Sequence, residues 1–293
     1  MQLRLATPFV SRVIENAGEG TDAVIASASY KLSDNVEKLT LAGTADLYGY
    51  GNASDNVLTG NSGANKLFGL DGNDTLNGQG GADRLVGGSG NDRYYVDSYS
   101  DRVIENAGEG TDSVYSTTNY KLAANVETLT LTGSADLWAY GNELDNVVAG
   151  NSGANKLYGM GGNDTIKGGA GNDWIEGGAG RDMLYGGTGS DTFAFHDGDF
   201  GGATRATADR ILDFVQGEDI IRLSSVDADT TVTGDQAFHF MGTTAFDGHA
   251  GELRYEQISG ATYVSGDTNG DGTADFMIRI DGLQTLTAHD FVL

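Results

Sequence analysis

Residues 159–194 read GMGGNDTIK, GGAGNDWIE, GGAGRDMLY and GGTGSDTFA, which are four consecutive blocks of nine residues built on one pattern. Two similar blocks precede them from residue 141, and five others occupy residues 51–95. Every block has Gly first, Asn or Asp sixth and an apolar side chain eighth. Such regularity indicates a repeat architecture. The eighth positions are Leu58, Leu67, Leu76, Leu85, Tyr94, Val148, Leu157, Ile166, Ile175, Leu184 and Phe193.

The spacing within a block predicts its local structure. Three residues around the eighth position form a very short strand with one side chain pointing inward. The six Gly-rich residues turn the chain, because Gly adopts positive φ without steric cost. Two blocks then make one coil of 18 residues, and successive coils stack about 4.8 Å apart as parallel strands do. The eighth side chains form an internal ladder, in which each contributes roughly 1.5–3 kcal/mol when fully buried.

A longer period overlies the short one. RVIENAGEGTD at residues 12–22 recurs unchanged 90 positions later, at residues 102–112, and GNSGANKL at residues 60–67 recurs at residues 150–157. The predicted fold class is therefore all-β, a parallel β-roll (β-solenoid) of two duplicated units capped by a C-terminal β-rich domain, where strands alternate with turns. The expected boundaries are residues 1–95 for the first unit, 96–194 for the second unit and 195–293 for the C-terminal domain.

Composition narrows the classes of protein. The 293 residues include 17 Lys and Arg against 42 Asp and Glu, a formal net charge of −25, with 46 Gly, one Pro and no Cys. Without Cys there is neither a disulfide framework nor a Cys-ligated metal site. A polyanion of this strength is a poor partner for nucleic acid, and no apolar stretch is long enough for a transmembrane helix. Disorder is the rival interpretation, but 39% apolar residues are more core material than disordered chains have.

The sixth positions give the acidity a structural meaning. Residues 18 apart lie on the same edge of successive coils, and like charges about 5 Å apart repel by roughly 1 kcal/mol in water and several times more in a partly desolvated turn. Carboxylates and inward-turned loop carbonyls are hard oxygen ligands that suit Ca²⁺ better than Mg²⁺ or soft metals. Several Ca²⁺ ions are therefore predicted between the turns. The stacked pairs expected are Asp74 over Asp92, Asp164 over Asp182, and Asp173 over Asp191.

The alternative interpretation is that these Asp residues are turn formers that keep the surface soluble. It explains neither the fixed sixth position nor the column of residues 18 apart. The blocks that open each array carry Asn at positions two and six, as in Asn61 and Asn65. Neutral Asn can hydrogen-bond to the coils above and below without an ion. Each array is therefore expected to begin with a metal-free portion and to continue with a metal-dependent one.

The block GGAGNDWIE resembles the nonapeptide GGxGxDxUx of the RTX family, in which U is apolar. The resemblance implies a parallel β-roll with Ca²⁺ between its turns and secretion by a type I exporter. It also implies that the earlier turn of a pair offers the carbonyls at positions two and four with its Asp, and the later turn those at one and three with its Asp. The implied sets are Leu70, Gly72, Asp74 with Gly87, Ser89, Asp92; Met160, Gly162, Asp164 with Gly177, Ala179, Asp182; and Gly169, Gly171, Asp173 with Gly186, Thr188, Asp191.

Two further pairs depart from this pattern. Asn65 with Asp83, and Asn155 with Asp173, have Asn in place of one carboxylate. The missing charge is expected to weaken or abolish those two sites. Asp209 falls 18 residues after Asp191, and it is expected to close the last turn.

The C-terminal part is similar to the C-terminal domain of serralysin-type metalloproteases. The similarity lies in DRILDFVQGEDIIRL at residues 209–223 and GDTNGDGTADFMIRI at residues 266–280. In that family the domain caps the β-roll and ends in an uncleaved export signal, an acidic residue followed by apolar ones. Residues 290–293, DFVL, match that description. The implied partner is the type I export machinery.

One loop in this region permits two interpretations. Asp267, Asn269, Asp271 and Asp275 place oxygen ligands at positions one, three, five and nine around a Gly at six, which resembles the first part of an EF-hand calcium loop. The Glu usual at position twelve is replaced by Ile278, and no flanking helices are apparent. The other interpretation is a hairpin turn rich in Asp and Asn.

No catalytic motif is found in the chain. None of the four His residues is followed by Glu, so the HExxH of zinc peptidases is absent, and no GxSxG elbow occurs. The protein is therefore predicted not to be an enzyme, and a catalytic domain, if any, would lie upstream of Met1. The His residues are His196, His239, His249 and His289.

The sequence therefore predicts a secreted, extracellular calcium-binding β-roll that folds when it binds Ca²⁺ after type I export. Two alternatives stay open. The chain is the C-terminal accessory and secretion part of a larger extracellular enzyme, such as a serralysin-like metalloprotease or a polysaccharide-modifying enzyme. Otherwise it is a spacer in an adhesin or surface layer. The sequence does not identify a biological ligand.

Overall fold

The computed structural model describes residues 3–6, 13–16, 18 and 20–293. In this described part, the only helix is one 3-10 turn, and all other regular structure is β-strand. No helix in these ranges is long and apolar enough to cross a membrane. The chain forms two compact units, Met1–Thr132 and Gly133–Leu293. The boundaries of the sequence repeats stay a prediction.

The first unit alternates short strands between two parallel sheets. One sheet has the order β1-β2-β4-β6-β8-β10-β12-β14, and the other has the order β11-β9-β7-β5-β3. The strands are β1 (Leu3–Ala6), β2 (Ala23–Ala26), β3 (Tyr30–Lys31), β4 (Lys38–Leu41), β5 (Tyr48–Tyr50), β6 (Val57–Thr59), β7 (Lys66–Asp71), β8 (Thr75–Asn77), β9 (Arg84–Ser89), β10 (Arg93–Val96), β11 (Arg102–Ile104), β12 (Ser113–Ser116), β13 (Tyr120–Lys121) and β14 (Thr128–Leu131).

The second unit begins with the same alternation. Its first sheet has the order β16-β18-β20-β22-β27-β26-β25-β24, and its second sheet includes β15-β17-β19-β21-β23-β28. The elements are β15 (Trp138–Tyr140), β16 (Val147–Ala149), β17 (Lys156–Gly161), β18 (Thr165–Ala170), β19 (Trp174–Ala179), β20 (Met183–Thr188), β21 (Thr192–His196), β22 (Asp209–Ile211), β23 (Ile220–Ser225), β24 (His239–Phe240), β25 (Glu252–Ile258), β26 (Ala261–Asp267), β27 (Phe276–Asp281), the 3-10 turn η1 (Ala288–Asp290) and β28 (Phe291–Val292).

The strand register confirms the predicted coil length. Thr75 of β8 pairs with Val57 before it and with Arg93 after it, 18 residues away in each direction. Outside the nonapeptides the coils differ in length, since Arg93 pairs with Ser113 and Ser113 pairs with Thr128. The number of residues per coil therefore varies while the strands stay stacked. The predicted parallel β-roll is confirmed in each unit.

The internal ladder is also confirmed. The eighth side chain of every block is 0% exposed, and the residues on either side of it along the strand are less buried. This alternation is the period of two that a half-buried strand requires. Packing thus resides in one apolar side chain per short strand, and the Gly-rich turns between the strands contribute little to it. A coil has no core of its own, so its stability comes from its neighbours.

The C-terminal strands continue the roll of the second unit. β25, β26 and β27 form an antiparallel meander, and β27 pairs in parallel with β22. The chain end returns to the second sheet, where Phe291 pairs with Ile221. Asp290 caps the 3-10 turn by accepting the Thr287 N–H at 2.7 Å. The predicted β-rich cap is thus an extension of the same two sheets.

Candidate metal-binding turns

The sixth-position carboxylates form columns along one edge of each unit. The backbone N–H of Asp74 donates to Oδ1 of Asp92 at 2.7 Å, across an 18-residue coil. The same bond joins Asp164 to Asp182 and Asp173 to Asp191, each at 2.8 Å. The three stacked Asp pairs expected from the sequence are therefore neighbours in the structure. One oxygen of each later carboxylate is held by the backbone of the coil before it.

The second oxygen of these carboxylates has no such bond. Each Oδ2 is buried and lacks a hydrogen-bond partner. Burying a charged oxygen in this way is costly unless something compensates it. A row of such atoms, repeated at every sixth position, therefore points to a ligand that binds oxygen. The seven residues are Asp74, Asp83, Asp92, Asp164, Asp173, Asp182 and Asp191.

Burial dominates the electrostatics of these columns. It raises the pKa of Asp164 to about 7, and the neighbouring charge of Asp182 raises that pKa further, while the hydrogen bond from Asn146 opposes the rise. Burial likewise raises the pKa of Asp74 and Asp182 to about 7 and that of Asp173 to about 6. Without a cation, these carboxyl groups are thus held close to their neutral form.

The Gly that opens each block makes room for this arrangement. A Cβ on Gly159 would lie 2.2 Å from Asp164 Oδ2 and 2.3 Å from the carbonyl oxygen of Gly177. The unpartnered carboxylate oxygen and the carbonyl of the next coil therefore lie beside one another. A Cβ at Gly69 or Gly168 would meet the carbonyls of Gly87 or Gly186 in the same way. These three carbonyls are the first-position ligands implied for the later turns.

The carbonyls implied for the earlier turns also face the next coil. The Met160 carbonyl lies 2.1 Å from where a Cβ of Gly178 would be, and that of Gly162 lies 1.8 Å from where a Cβ of Gly180 would be. Side chains at those positions would clash with the carbonyl oxygens. The four other implied carbonyls, which approach Gly88, Gly90, Gly187 and Gly189 as closely, are those of Leu70, Gly72, Gly169 and Gly171.

The third-position carbonyls are partly engaged. The Ser89 carbonyl accepts the Gly72 N–H at 2.8 Å, and the Thr188 carbonyl accepts the Gly171 N–H at 2.9 Å. Ala179 lies in register opposite Gly161 on the neighbouring strand. A carbonyl oxygen has two lone pairs, so each hydrogen-bonded carbonyl can still accept from a second group.

Two implied ligand residues have an unfavourable backbone conformation. Leu70 has φ 91° and Met160 has φ 84°, in the left-handed region that favours Gly. Later blocks place Gly at the same position with a similar φ, as in Gly88, Gly178 and Gly187. The carbonyl orientation is therefore kept at position two even where the side chain opposes it. Such strain persists where the surrounding structure requires it.

The asparagine blocks satisfy themselves, as expected. The Asn65 amide donates to the Ala45 carbonyl and to Asn61 Oδ1, while its N–H donates to Asp83 Oδ1 at 2.6 Å. Asn155 similarly donates its N–H to Asp173 Oδ1 and its amide to Asn151 Oδ1. An amide N–H₂ thus replaces the positive group that a carboxylate would need at that point. Hydrogen bonds to the coils before and after are confirmed for Asn65.

The expected position of Asp209 is wrong. Oδ1 of Asp209 accepts the N–H of Asp182, 27 residues earlier, whereas Asp219 accepts that of Asp191, 28 residues earlier. Residues 197–208 form a loop that lengthens this coil, so counting 18 residues from Asp191 reaches the wrong column. Asp209 nevertheless closes a column, and burial raises its pKa to about 8. Whether it binds metal stays a prediction.

Sequence reasoning missed three other members of the columns. Asp101 accepts the N–H of Asp83, Asp112 accepts that of Asp92, and Asp219 continues the column of Asp191. None of these three belongs to a nonapeptide. A signal was available, because each is followed two residues later by an apolar side chain, as the sixth position of a block is followed by the eighth. The apolar residues are Val103, Val114 and Ile221.

The loop of Asp267, Asn269, Asp271 and Asp275 is a hairpin connection between β26 and β27. Asp267 accepts the Gly270 N–H at 2.7 Å through Oδ1 and the Gly272 N–H at 2.8 Å through Oδ2. Asp275 Oδ2 accepts the N–H and hydroxyl of Thr268, and Asp271 Oδ1 accepts those of Thr273. The loop is thus braced by its own acidic side chains, and metal binding there stays a prediction.

The geometry defines a class of protein, a parallel β-roll whose turns bring buried carboxylates and backbone carbonyls together in columns. The family described as Peptidase M10 serralysin C terminal matches residues 10–293. The chain belongs to that family. The match is to the C-terminal, non-catalytic part of serralysin-like proteins.

Similar proteins include two enzymes. The chain is 50% identical over 52 residues to the endo-1,3-1,4-beta-glycanase ExsH of Rhizobium meliloti (strain 1021), covering 18% of this chain and 11% of the relative. It is 37% identical over 98 residues to the metalloprotease AprA of Pseudomonas entomophila (strain L48), covering 33% of this chain and 19% of the relative. The matched segments are thus a small part of either enzyme.

Similar solved structures come from other secreted-protein modules. The AlgE6R2 subunit of the Azotobacter vinelandii mannuronan C5-epimerase is 27% identical, with a TM-score of 0.40, covering 55% of this chain and 94% of that chain. The extracellular lipase LipA of Serratia marcescens is 17% identical, with a TM-score of 0.37, covering 90% of this chain and 45% of that chain.

Proposed function

We propose that this chain is a calcium-binding RTX β-roll, in which Ca²⁺ ions lie between the acidic turns. One observation carries the proposal. Seven sixth-position carboxylates each keep one buried oxygen without a hydrogen-bond partner, beside carbonyls of the neighbouring coil. Carboxylate and carbonyl oxygens, with no nitrogen or sulfur among them, are the ligands that Ca²⁺ prefers.

The proposed ligand sets join one turn to the next. In the first unit, the carbonyls of Leu70 and Gly72 and the Asp74 carboxylate act with Gly87, Ser89 and Asp92. The second unit repeats this arrangement in two columns. Asp83, Asp209 and the loop from Asp267 to Asp275 are proposed as additional ligands. The corresponding sets are Met160, Gly162, Asp164 with Gly177, Ala179, Asp182, and Gly169, Gly171, Asp173 with Gly186, Thr188, Asp191.

Calcium binding is proposed to drive folding. Without a cation, each column brings buried carboxylates together, and their mutual repulsion opposes stacking of the coils. The sites span two coils, so they do not exist in the unfolded chain. Binding therefore stabilises the folded state by mass action. Extracellular modules bind Ca²⁺ with a Kd of about 10⁻⁴–10⁻³ M, so this coupling keeps the chain unfolded where Ca²⁺ is scarce.

This coupling fits export by a type I system to the extracellular space. The C-terminal residues proposed as the export signal are part of the fold, since Phe291 pairs with Ile221 and Asp290 caps a 3-10 turn. An exporter that recognises these residues as an extended segment would need the unfolded chain. Folding only after Ca²⁺ becomes available satisfies that requirement.

The chain itself is proposed to be non-catalytic. A second candidate is that it acts as the accessory part of a larger extracellular enzyme, and the enzymes ExsH and AprA favour it, because the chain matches only 11% and 19% of their length. A spacer in an adhesin or surface layer is the remaining alternative. An assay against protein and polysaccharide substrates separates the chain from a complete enzyme.

Counting bound ions tests the proposal. Native mass spectrometry of the chain in millimolar Ca²⁺, after gentle desalting, is expected to show several ions per chain, lost on treatment with chelator. Mg²⁺ at the same concentration is expected to leave the sites largely empty, because Mg²⁺ demands a tighter octahedral shell. A chain that binds no Ca²⁺ would overturn the proposal.

A further inference from the structure

A cluster of three acidic side chains lies just beyond the first run of nonapeptides. Asp92, Glu105 and Asp112 each place one carboxylate oxygen within 4.8 Å of those of the other two. Asp92 closes the last block of the run, and Glu105 and Asp112 belong to the repeated segment RVIENAGEGTD at residues 102–112. All three residues are more than nine-tenths buried.

The three carboxylates are not compensated by the protein. Glu105 Oε2 and Asp92 Oδ2 are buried without a hydrogen-bond partner. In the described part of the chain, no basic side chain forms an ion pair with any of the three. Three buried acids of like charge and no counter-charge is an arrangement that folding disfavours unless a cation joins them.

The remaining oxygens are held in place. Asp112 Oδ1 accepts the Asp92 N–H at 2.8 Å, so the two Asp side chains belong to one column. The Tyr94 hydroxyl donates to Glu105 Oε1, and Tyr94 is fixed by its place in the internal ladder. The Asp112 N–H donates to Glu127 at 2.8 Å. Each carboxylate therefore has one fixed oxygen, which orients the other.

We propose that Asp92, Glu105 and Asp112 bind one further Ca²⁺ ion, in a coil that contains no nonapeptide. Glu105 takes the place of the backbone carbonyls that a nonapeptide would supply at this point in the column. This inference rests on the proposed function only through Asp92, which also belongs to the site with Asp74. The oxygen-only ligands and the three negative charges select a hard divalent cation.

Protonation is the competing explanation for the buried Glu105. Burial, followed by the charges of Asp112 and Asp92, raises the pKa of Glu105 to about 9 when no cation is present. A proton on Glu105 would remove one charge but would leave Asp92 and Asp112 facing each other. A cation compensates all three carboxylates. The two explanations differ in what the amide variant Glu105→Gln does to ion binding.

The test counts ions in Glu105→Gln at the lowest free Ca²⁺ that fills the sites of the natural chain. Glutamine keeps the size of the side chain and an oxygen for the Tyr94 hydroxyl, but it has no charge. The variant is expected to bind one ion fewer. The control is Asp34→Asn, which removes one charge from an exposed turn of the same unit and is expected to bind the full number.

A second variant covers the case in which Glu105→Gln does not fold. Asp112→Asn keeps an Oδ1 for the Asp92 N–H and is expected to lose the same single ion. The double variant is expected to lose one ion and no more, because both residues serve one site. Full occupancy in either single variant would overturn the inference. A natural chain that binds no Ca²⁺ at all would instead overturn the proposed function.

Discussion

The backbone N–H of Asp164 donates to Oδ1 of Asp182 at 2.8 Å, and Oδ2 of Asp182 is buried with no hydrogen-bond partner. One oxygen thus joins two coils, while the other is exposed only to the space between them. This division of the carboxylate between a structural bond and an unpartnered oxygen recurs along the columns of both units. It makes the stability of the fold depend on what lies in that space.

The variant Asp182→Asn is expected to have opposite effects with and without Ca²⁺. In chelator it removes a buried negative charge and keeps the hydrogen-bond acceptor, so the free energy of unfolding is expected to rise by about 1–3 kcal/mol. In saturating Ca²⁺ it removes a ligand, and stability is expected to fall by about 2–4 kcal/mol through lost binding. Urea unfolding under both conditions measures the two changes.

A matched control for this prediction is Asp145→Asn. Asp145 is exposed and accepts the Asn163 N–H at 2.6 Å, a bond that asparagine can also accept. Its free energy of unfolding is expected to change by less than about 0.5 kcal/mol in either condition. A fall in stability of Asp182→Asn in chelator, equal to the fall in Ca²⁺, would contradict the proposed role of the unpartnered oxygen.

The stability of the calcium-free chain is expected to decrease as pH rises from about 5 to about 8. Burial raises the pKa of Asp74 and Asp164 to about 7 in the folded state, above the ordinary value of about 3.9. The folded chain therefore binds more protons than the unfolded chain in this range, and stability falls as those protons are lost. Thermal unfolding in chelator across this pH range measures the effect.

Calcium is expected to reverse that trend. Ca²⁺ binds the ionised carboxylate and competes with the proton, so its affinity rises with pH over the same range. Calorimetric titration in two buffers with different ionisation enthalpies would reveal the protons released on binding. If the chelated protein were equally stable at pH 5 and pH 8, the columns would not titrate as the structure indicates.

The variant Met160→Gly is expected to stabilise the chain. Met160 has φ 84° and a side chain that is 39% exposed, so glycine relieves the backbone strain at small cost in burial. The left-handed conformation costs a non-Gly residue about 1–2 kcal/mol, and the greater chain entropy of glycine offsets about 0.5–1 kcal/mol of the gain. A rise of about 0.5–1 kcal/mol is expected in saturating Ca²⁺, measured by urea unfolding.

Leu144→Gly is the control for that substitution. Leu144 is 38% exposed, and its φ is not in the left-handed region. Glycine there increases the entropy of the unfolded chain without relieving strain, so a loss of about 0.5–1 kcal/mol is expected. Equal losses in both variants would show that the conformation of Met160 is not strained.

The variant Asn155→Asp is expected to add one Ca²⁺ ion to the second unit. Its neighbour Asp173 is already in place, and the carbonyls of Asn151 and Gly153 approach the next coil, at Gly169 and Gly171, as those of the other columns do. Only the carboxylate is missing. In chelator the same change places two acids together and is expected to destabilise the fold by about 1–3 kcal/mol. Native mass spectrometry counts the ions, and an unchanged count would contradict the proposed ligand set.

The repeat made most of the fold predictable. A side chain such as Ile175 could be assigned to the core because its position in the block fixes the direction in which it points. The pairing of Asp173 with Asp191 followed from the same count. Asp209 was assigned to the wrong column because the loop of residues 197–208 changes the coil length, and strand pairing, which fixes the column, tolerates loops of any length.

Glu105 was missed for a different reason. It was noticed only as part of a repeated segment, since a lone glutamate has no spacing that signals a ligand. Its role depends on the fold bringing it to Asp92 and Asp112, which lie 13 and 7 residues away in the sequence. The shorter pattern of an acid followed two residues later by an apolar side chain would have located Asp112. No local pattern would have located Glu105.

The central claim is that folding of this chain depends on Ca²⁺. Far-ultraviolet circular dichroism of one sample, first in chelator at neutral pH and then titrated with Ca²⁺ to millimolar concentration, tests it most directly. The account predicts a largely unfolded spectrum in chelator and a cooperative gain of β-structure as Ca²⁺ is added, reversed by more chelator. The same β-structure content in chelator as in millimolar Ca²⁺ would contradict it.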